Sequence, residues 1–185
     1  MTLVKLVGVG KSAVTDEDDN LAAEIDSCIA VAVRVYVSKA DGSTDSRRRG
    51  LAHVYNSGSG VQEYRARDID QARKTLDCFF RDLESFEGDS RREGESKISA
   101  YVVGIPFSST WNFMSDYVLD YLKQRKIKPQ VDLNDQRVVN AKRREVVGGL
   151  NVAYKQIVFK KDEIVVVDKD AGKSFDRDDI HSITF

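Results

Sequence analysis

The longest β-branched run of the chain lies in residues 24–37, where Ile29, Val31, Val33, Val35 and Val37 alternate with Ala30, Ala32, Arg34 and Tyr36. A period of two in such residues predicts a strand, central at its start and more exposed from Arg34 onward. Residues 3–9 predict an earlier strand that Gly8 and Gly10 bring to an end. A glycine turn at Gly50 leads into another strand, 51–55, with Leu51, His53 and Tyr55 on one face and Ala52 and Val54 on the other. Further strands are expected at 98–105, stopped by Pro106, at 127–133 and at 145–147. Residues 152–159 and 164–167 read as a hairpin joined through Lys160-Lys161-Asp162-Glu163.

The apolar period becomes helical in two places. From Asp68 to Phe86, Ile69, Ala72, Leu76, Phe79, Phe80 and Leu83 form one stripe, with Asp68 placed to cap the N-terminus. Ser108-Ser109-Thr110 offers caps for a second helix over 111–125, whose stripe is Phe113, Met114, Tyr117, Val118, Tyr121 and Leu122. Such stripes mark core packing rather than a cofactor box. The fold class predicted is α/β, one domain over 1–185, with a mixed, mainly antiparallel β core and both helices laying their stripes on it.

The intervening stretches are polar. Lys11 to Asn20 carries the acidic block Asp16 to Asp19, which suits a solvated loop or the first turn of a short helix; a metal site is the alternative, and nothing else in the sequence supports one. Residues 38–49 predict a loop whose tip, Arg47-Arg48-Arg49, is either a solvated hairpin end or a contact for an acidic partner. Ser57-Gly58-Ser59-Gly60 ends the strand before it as a flexible loop. The 38–49 and 87–96 stretches lack apolar periodicity and are expected to be exposed and mobile.

Composition narrows the function classes. At 185 residues, with 41% hydrophobic and 32% charged side chains, the chain is long enough to bury a core without staples and suits a soluble globular protein. A net charge of -1 gives no global electrostatic case for nucleic acid or an anionic membrane. No apolar run reaches the roughly 18 residues of a membrane span, and Met1 to Leu6 lacks a signal-peptide core; cytoplasmic synthesis is expected, with export by another route left open. Two cysteines and two histidines form neither a disulfide framework nor a zinc spacing, so no metal and no cofactor is expected.

The candidate chemistry is a thiol with an imidazole. Cys28 stands at the mouth of the apolar run, and His53 lies on the 51–55 strand. A cysteine nucleophile needs a base, and histidine titrates near neutrality. The alternative is that Cys28 is a small buried hydrophobe. Glu24, Asp26 and Cys28 would share one face of a continuous strand, where either carboxylate is a candidate third member orienting His53; a carboxylate too near the sulfur would instead raise its pKa. Cys78 beside the first helical stripe and His181 in the tail read as structural.

Element order and two short segments carry a resemblance. A strand ending in Val7-Gly8-Val9-Gly10 is followed by Asp26-Ser27-Cys28-Ile29-Ala30-Val31, then Gly50-Leu51-Ala52-His53-Val54, a helix, a strand, a second helix, and Gly148-Gly149 before a β pair. Over roughly residues 3–160 this resembles the bacterial chemoreceptor glutamine deamidases of the CheD type, with their Gly-Ser-Cys-Val-Ala-Val and Gly-Met-Ala-His segments. It is also similar to the catalytic domain of the cytotoxic necrotizing factors and related toxins. The resemblance implies a β-sandwich flanked by helices, with Cys28 as nucleophile and His53 as general base. The activity implied is hydrolysis of a protein glutamine side chain to glutamate with loss of ammonia, or transglutamination as a variant. The partner implied is a protein substrate, either a chemoreceptor or, for a secreted effector, a host signalling protein.

The sequence departs from the CheD pattern in three places. Ala22 stands where a threonine would orient the histidine, Asp26 replaces a glycine two residues before the cysteine, and the loop between the motifs is longer. In the toxins a main-chain carbonyl can orient the histidine. Backbone N–H groups at Ser27 or Cys28 are the candidate oxyanion donors. A non-catalytic binding module on the same fold, using the 47–49 tip or the 87–96 loop, is the competing expectation.

Overall fold

The computed structural model describes residues 4–15, 19–25, 28–38, 43–57, 62–85, 96–104, 112–132, 154–161, 163–169 and 180–184. The elements are β1 (Val4–Leu6), β2 (Lys11–Thr15), β3 (Asn20–Ile25), β4 (Ile29–Ser38), β5 (Thr44–Val54), α1 (Gln62–Ser85), β6 (Ser96–Gly104), α2 (Asn112–Gln124), β7 (Gln130–Asp132), β8 (Tyr154–Phe159), β9 (Glu163–Lys169) and β10 (Ile180–Thr184).

The alternation in β4 decides the layering. Ile29, Val31, Val33 and Val35 point to one face, where they pack with Leu76, Phe79 and Phe80 of α1 and Met114, Val118 and Leu122 of α2. Ala30 and Ala32 point to the other, where they meet Leu21, Ala23 and Ile25 of β3 and Ile157, Phe159, Ile164 and Val166 of β8 and β9. Small alanines on that face let a second sheet approach closely, and large aliphatics on the opposite face fill the space under two helices. Both helices therefore cover one sheet, and a second sheet covers its other face.

Among the described residues the helix-covered sheet has the order β2-β5-β4-β6-β7 and the second sheet the order β1-β3-β8-β9-β10. β1 with β3 and β6 with β7 run parallel, and the other described pairs run antiparallel. This is the mixed, mainly antiparallel α/β sandwich that the patterning and the resemblance predict.

Several local expectations are corrected. Lys11–Thr15 is not a loop but an edge strand paired with β5 from Lys11↔His53 to Thr15↔Arg49, with Asp16 to Asp18 outside the described residues. The 24–37 run is not one strand: β3 ends at Ile25 in the second sheet, and β4 starts at Ile29 in the other. The 38–49 loop is largely strand, with β5 already under way at Thr44. Asp68 is not a cap, since α1 begins at Gln62; it is 1% exposed, and its Oδ2 accepts from the Ser57 backbone N–H at 3.0 Å and the Ser57 hydroxyl at 2.6 Å. The tail of His181 is strand β10, paired with β9. The 87–95 stretch, the 145–147 strand and Gly148-Gly149 lie outside the described residues.

The basic tip is also corrected, because Arg48 and Arg49 are buried rather than exposed. Arg48 donates to the Leu83 carbonyl at 3.0 Å, at the end of α1. Arg49 faces Arg34 directly across the β4–β5 ladder. Both guanidinium groups lie over the Phe159 ring, at 5.8 Å and 5.3 Å from its centroid, and both donate to backbone carbonyls of the second sheet's strands and turns. Arg34 is thus the inter-sheet filler of the alternation that begins with Ala30, not the start of an exposed strand end.

Gly50 is inside β5 rather than in a turn, paired with Val33 and with Val14. A Cβ built there would lie 2.4 Å from Cε2 of Phe79, so the glycine lets α1 sit directly on the sheet backbone. Gly50→Ala is expected to destabilise the fold by roughly 1–3 kcal/mol, the cost of overpacking a close-packed interior, measurable by urea denaturation.

Tyr121 of α2 donates to Asp77 of α1 at 2.7 Å and lies under the Arg125 guanidinium. Burial, then the hydrogen bond to Asp77, pushes its phenol up to about 12 from the ordinary 10.0. A raised acid pKa contributes stability that is complete below the unfolded-state value and is lost as pH climbs through the folded one. Unfolding free energy should therefore fall between about pH 10 and 12, and Tyr121→Phe should flatten that part of the curve relative to the unmodified chain.

Candidate functional site

His53 is the penultimate residue of β5. Its cross-strand neighbours are Ala30 of β4 and Lys11 of β2. The period of two turns Leu51 and His53 toward the inter-sheet layer and Ala52 and Val54 toward the helices, as the sequence predicts. Cys28 precedes β4 by one residue and stands two before Ala30, so it shares the inter-sheet face with His53 and lies diagonally across the ladder from it. Diagonal positions in an antiparallel pair are roughly 7–8 Å apart at Cα, within reach of a long or aromatic side chain.

The pair occupies a particular place in the sandwich. Ile29, the first residue of β4, pairs with Val54 and with Gly104, the last residues of β5 and β6. Cys28 is therefore one residue outside the last rung of both ladders, at the rim of its sheet. It is 3% exposed and His53 is 2% exposed, and their neighbours in the layer include Val7, Ala30, Leu51 and Val103.

The His53 ring hydrogen-bonds to a backbone carbonyl. Nδ1 lies 3.0 Å from the carbonyl oxygen of Val7. A carbonyl can only accept, so Nδ1 carries the proton, and in the neutral ring Nε2 is left as the acceptor nitrogen. Val7 is held from its other side as well, its N–H donating to Ala22 of β3 at 2.7 Å. Beyond it the chain makes a tight turn. Lys11 N–H donates to the Gly8 carbonyl, and Gly10 adopts φ 69°, the left-handed conformation that glycine takes without a Cβ penalty. The Gly10 N–H then donates to the His53 carbonyl at 2.8 Å. One short crossing, 7–10, thus fixes both the ring and the backbone of His53.

Of the two candidate carboxylates, Glu24 alone lies among the described residues. Glu24 is in the second sheet, exposed, and accepts from Gln156 Nε2 at 3.3 Å. The continuous strand that would have put it on one face with Cys28 is broken after Ile25. Asp26 and Ser27 lie outside the described residues. Ala22, the position of the missing threonine, is buried, and its backbone rather than its side chain serves the site through Val7. A backbone carbonyl is among the partners expected for His53, with Glu24 and Asp26; that Val7 supplies it has no residue-type signal in the sequence.

Cys78 belongs to a different region. It is half-buried on α1, accepting from Arg81 Nη2 at 3.4 Å, and it lines a groove with Gly10, Lys11, Tyr55 and Lys74. This groove includes neither Cys28 nor His53. Neither cysteine is in a disulfide. Among the described residues no cluster of histidine, cysteine and carboxylate side chains could hold a metal ion, and no helix is long and apolar enough to cross a membrane. No protein-family model and no curated protein matches the chain.

The tautomer is directly measurable. Long-range ¹H–¹⁵N spectra at neutral pH should show His53 protonated at Nδ1 and bare at Nε2, with the Nδ1 proton slow to exchange. The reverse assignment would mean that the Val7 carbonyl does not hold the ring.

Proposed function

We propose that the chain is a cysteine-dependent protein-glutamine deamidase in which Cys28 is the nucleophile and His53 the general base. The observation that carries the reading is the hydrogen bond from His53 Nδ1 to the Val7 carbonyl, on the same inter-sheet face as Cys28. It leaves Nε2 as the basic nitrogen and substitutes a main-chain acceptor for the threonine that Ala22 lacks. A fixed orienting partner on the far side of the imidazole is what a thiol–imidazole pair needs from its third member.

The steps follow from these groups. Nε2 takes the Cys28 proton as Sγ attacks the side-chain amide carbon of a substrate glutamine, placing negative charge on the amide oxygen. The imidazolium returns that proton to the amide nitrogen, the C–N bond breaks and ammonia leaves a thioester. Water, deprotonated by the same Nε2, attacks the thioester carbon, releasing glutamate and restoring the thiol. Cys28 lies beyond the end of both ladders, and because it is buried, entry of a glutamine side chain requires the side chains covering it to move.

A second reading is favoured by one observation, the burial of Cys28 at 3% exposure among apolar neighbours. On that reading the fold is a non-catalytic protein-binding module and the cysteine a small core residue. Of the 47–49 tip, Arg48 and Arg49 are buried and so do not offer a surface for this reading, and the 87–95 stretch lies outside the described residues.

Thiol labelling separates the two. A passive core residue 3% exposed should react more slowly with iodoacetamide than the half-buried Cys78, whereas an imidazole-activated Cys28 should react faster despite its burial. In cells expressing the chain, proteomics should find glutamine-to-glutamate conversion that Cys28→Ala and His53→Ala each lower by about 10³-fold or more, non-additively, while Cys78→Ala leaves it unchanged. Faster labelling of Cys78 with no conversion would establish the binding module instead.

A further inference from the structure

The turn at 7–10 that holds His53 is itself held from the helical layer. Thr75 is 6% exposed in the interior of α1, and its Oγ1 donates to the Gly10 carbonyl at 3.2 Å and to the Gln71 carbonyl at 3.0 Å. A hydroxyl has one proton, so the two carbonyls share it. Donation to Gln71, four residues back, is the local bond that threonine commonly makes in a helix. Donation to Gly10 is not local: it spans 65 positions of sequence and leaves the helix for the turn. Threonine is a mediocre helix former because its β-branch restricts χ1, so helix propensity does not account for it at a buried interior position.

Gly10 links that hydroxyl to the imidazole by two short routes. Its N–H donates to the His53 carbonyl at 2.8 Å, and three residues before it Val7 accepts from His53 Nδ1 at 3.0 Å. The bond from the Lys11 N–H to the Gly8 carbonyl closes the turn between them. A shift of Gly10 relative to α1 would therefore reach both the backbone and the ring of His53. The same helix is fixed to the chain that follows His53. Asp68, seven residues before Thr75 and so on the same side of α1, accepts from the N–H and the hydroxyl of Ser57. α1 thus grips the segments on both sides of the imidazole, the turn through Thr75 and the end of β5 through Asp68.

We propose that Thr75 is a positioning residue for His53, acting through the Gly10 carbonyl to keep the Val7 acceptor in line with Nδ1. Its part in catalysis rests on the deamidase reading above; its hold on the ring does not. The tether needs a hydroxyl donor at that place, which serine keeps and valine, with a similar shape, lacks.

Thr75→Val and Thr75→Ser are compared with the unmodified chain by the exchange rate of the His53 Nδ1 proton and by glutamine-to-glutamate conversion in expressing cells. Thr75→Val should exchange that proton about fivefold faster, the scale of one net hydrogen bond, and lower conversion by a similar factor. Thr75→Ser should restore both. Leu122→Val, a buried change in α2, controls for a general loss of stability and should leave the exchange rate unaltered. Unaltered exchange in Thr75→Val, no rescue by serine, or equal acceleration by Leu122→Val would each overturn the proposal. In an active chain, faster exchange with undiminished conversion would overturn it too. Faster exchange with serine rescue, in a chain that converts no glutamine at all, would support the hold on the ring and overturn the deamidase reading alone.

Discussion

The hydrogen bonds of a single residue, Val7, tie the two sheets together at the place where the candidate chemistry lies. Its N–H is satisfied by Ala22 in one sheet and its carbonyl by the His53 ring in the other. A buried backbone group left without a partner costs about 1–3 kcal/mol, so the crossing at 7–10 is constrained from both ends. The glycine at position 10 makes that crossing short enough, turning the chain with positive φ straight into β2. Loss of this strap would free the imidazole and detach an edge strand in one event, which is why orientation of His53 and integrity of the sandwich are one property here.

The rest of the inter-sheet layer is unusually polar toward its far end. Arg34 and Arg49 face one another across the ladder, and like charges directly opposite are unfavourable by themselves. Phe159 between them and the carbonyls of Phe159, Lys160 and Asp19 around them explain how they are accommodated. Guanidinium is weakly hydrated and planar, so it stacks on a ring while its N–H groups reach main-chain acceptors. The layer therefore grades from small apolar side chains and His53 at one end to stacked cations at the other, and each end has its own polar link to the second sheet.

What could be read in the sequence was what burial writes into periodicity. The alternation of Ile29 to Val35, the two helical stripes and the facing of Leu51 with His53 all report which side of an element meets the core, and all hold in the structure. What could not be read came from three sources. An edge strand such as Lys11–Thr15 is half-buried and carries lysine, serine and threonine, so it shows no alternation. The break between Ile25 and Ile29 is marked in sequence by Asp26-Ser27 alone, and two polar residues do not reveal that the chain changes sheet. The arginines at 48 and 49 look like a solvated charge run because residue type alone does not reveal that Phe159 and a set of carbonyls await them.

The burial of Cys28 and the chemistry asked of it are in tension, and its position limits how that tension can be resolved. A thiol in the middle of a sandwich layer could be reached only by unfolding the layer. Cys28 is instead outside the last rung of both its ladders. An opening confined to Cys28 would need to break no rung of β4 in either ladder. On the proposed catalytic reading, a site arranged this way would keep its thiol out of water between turnovers while its base stays oriented. Selectivity would then be set by what can displace the rim rather than by a preformed cleft.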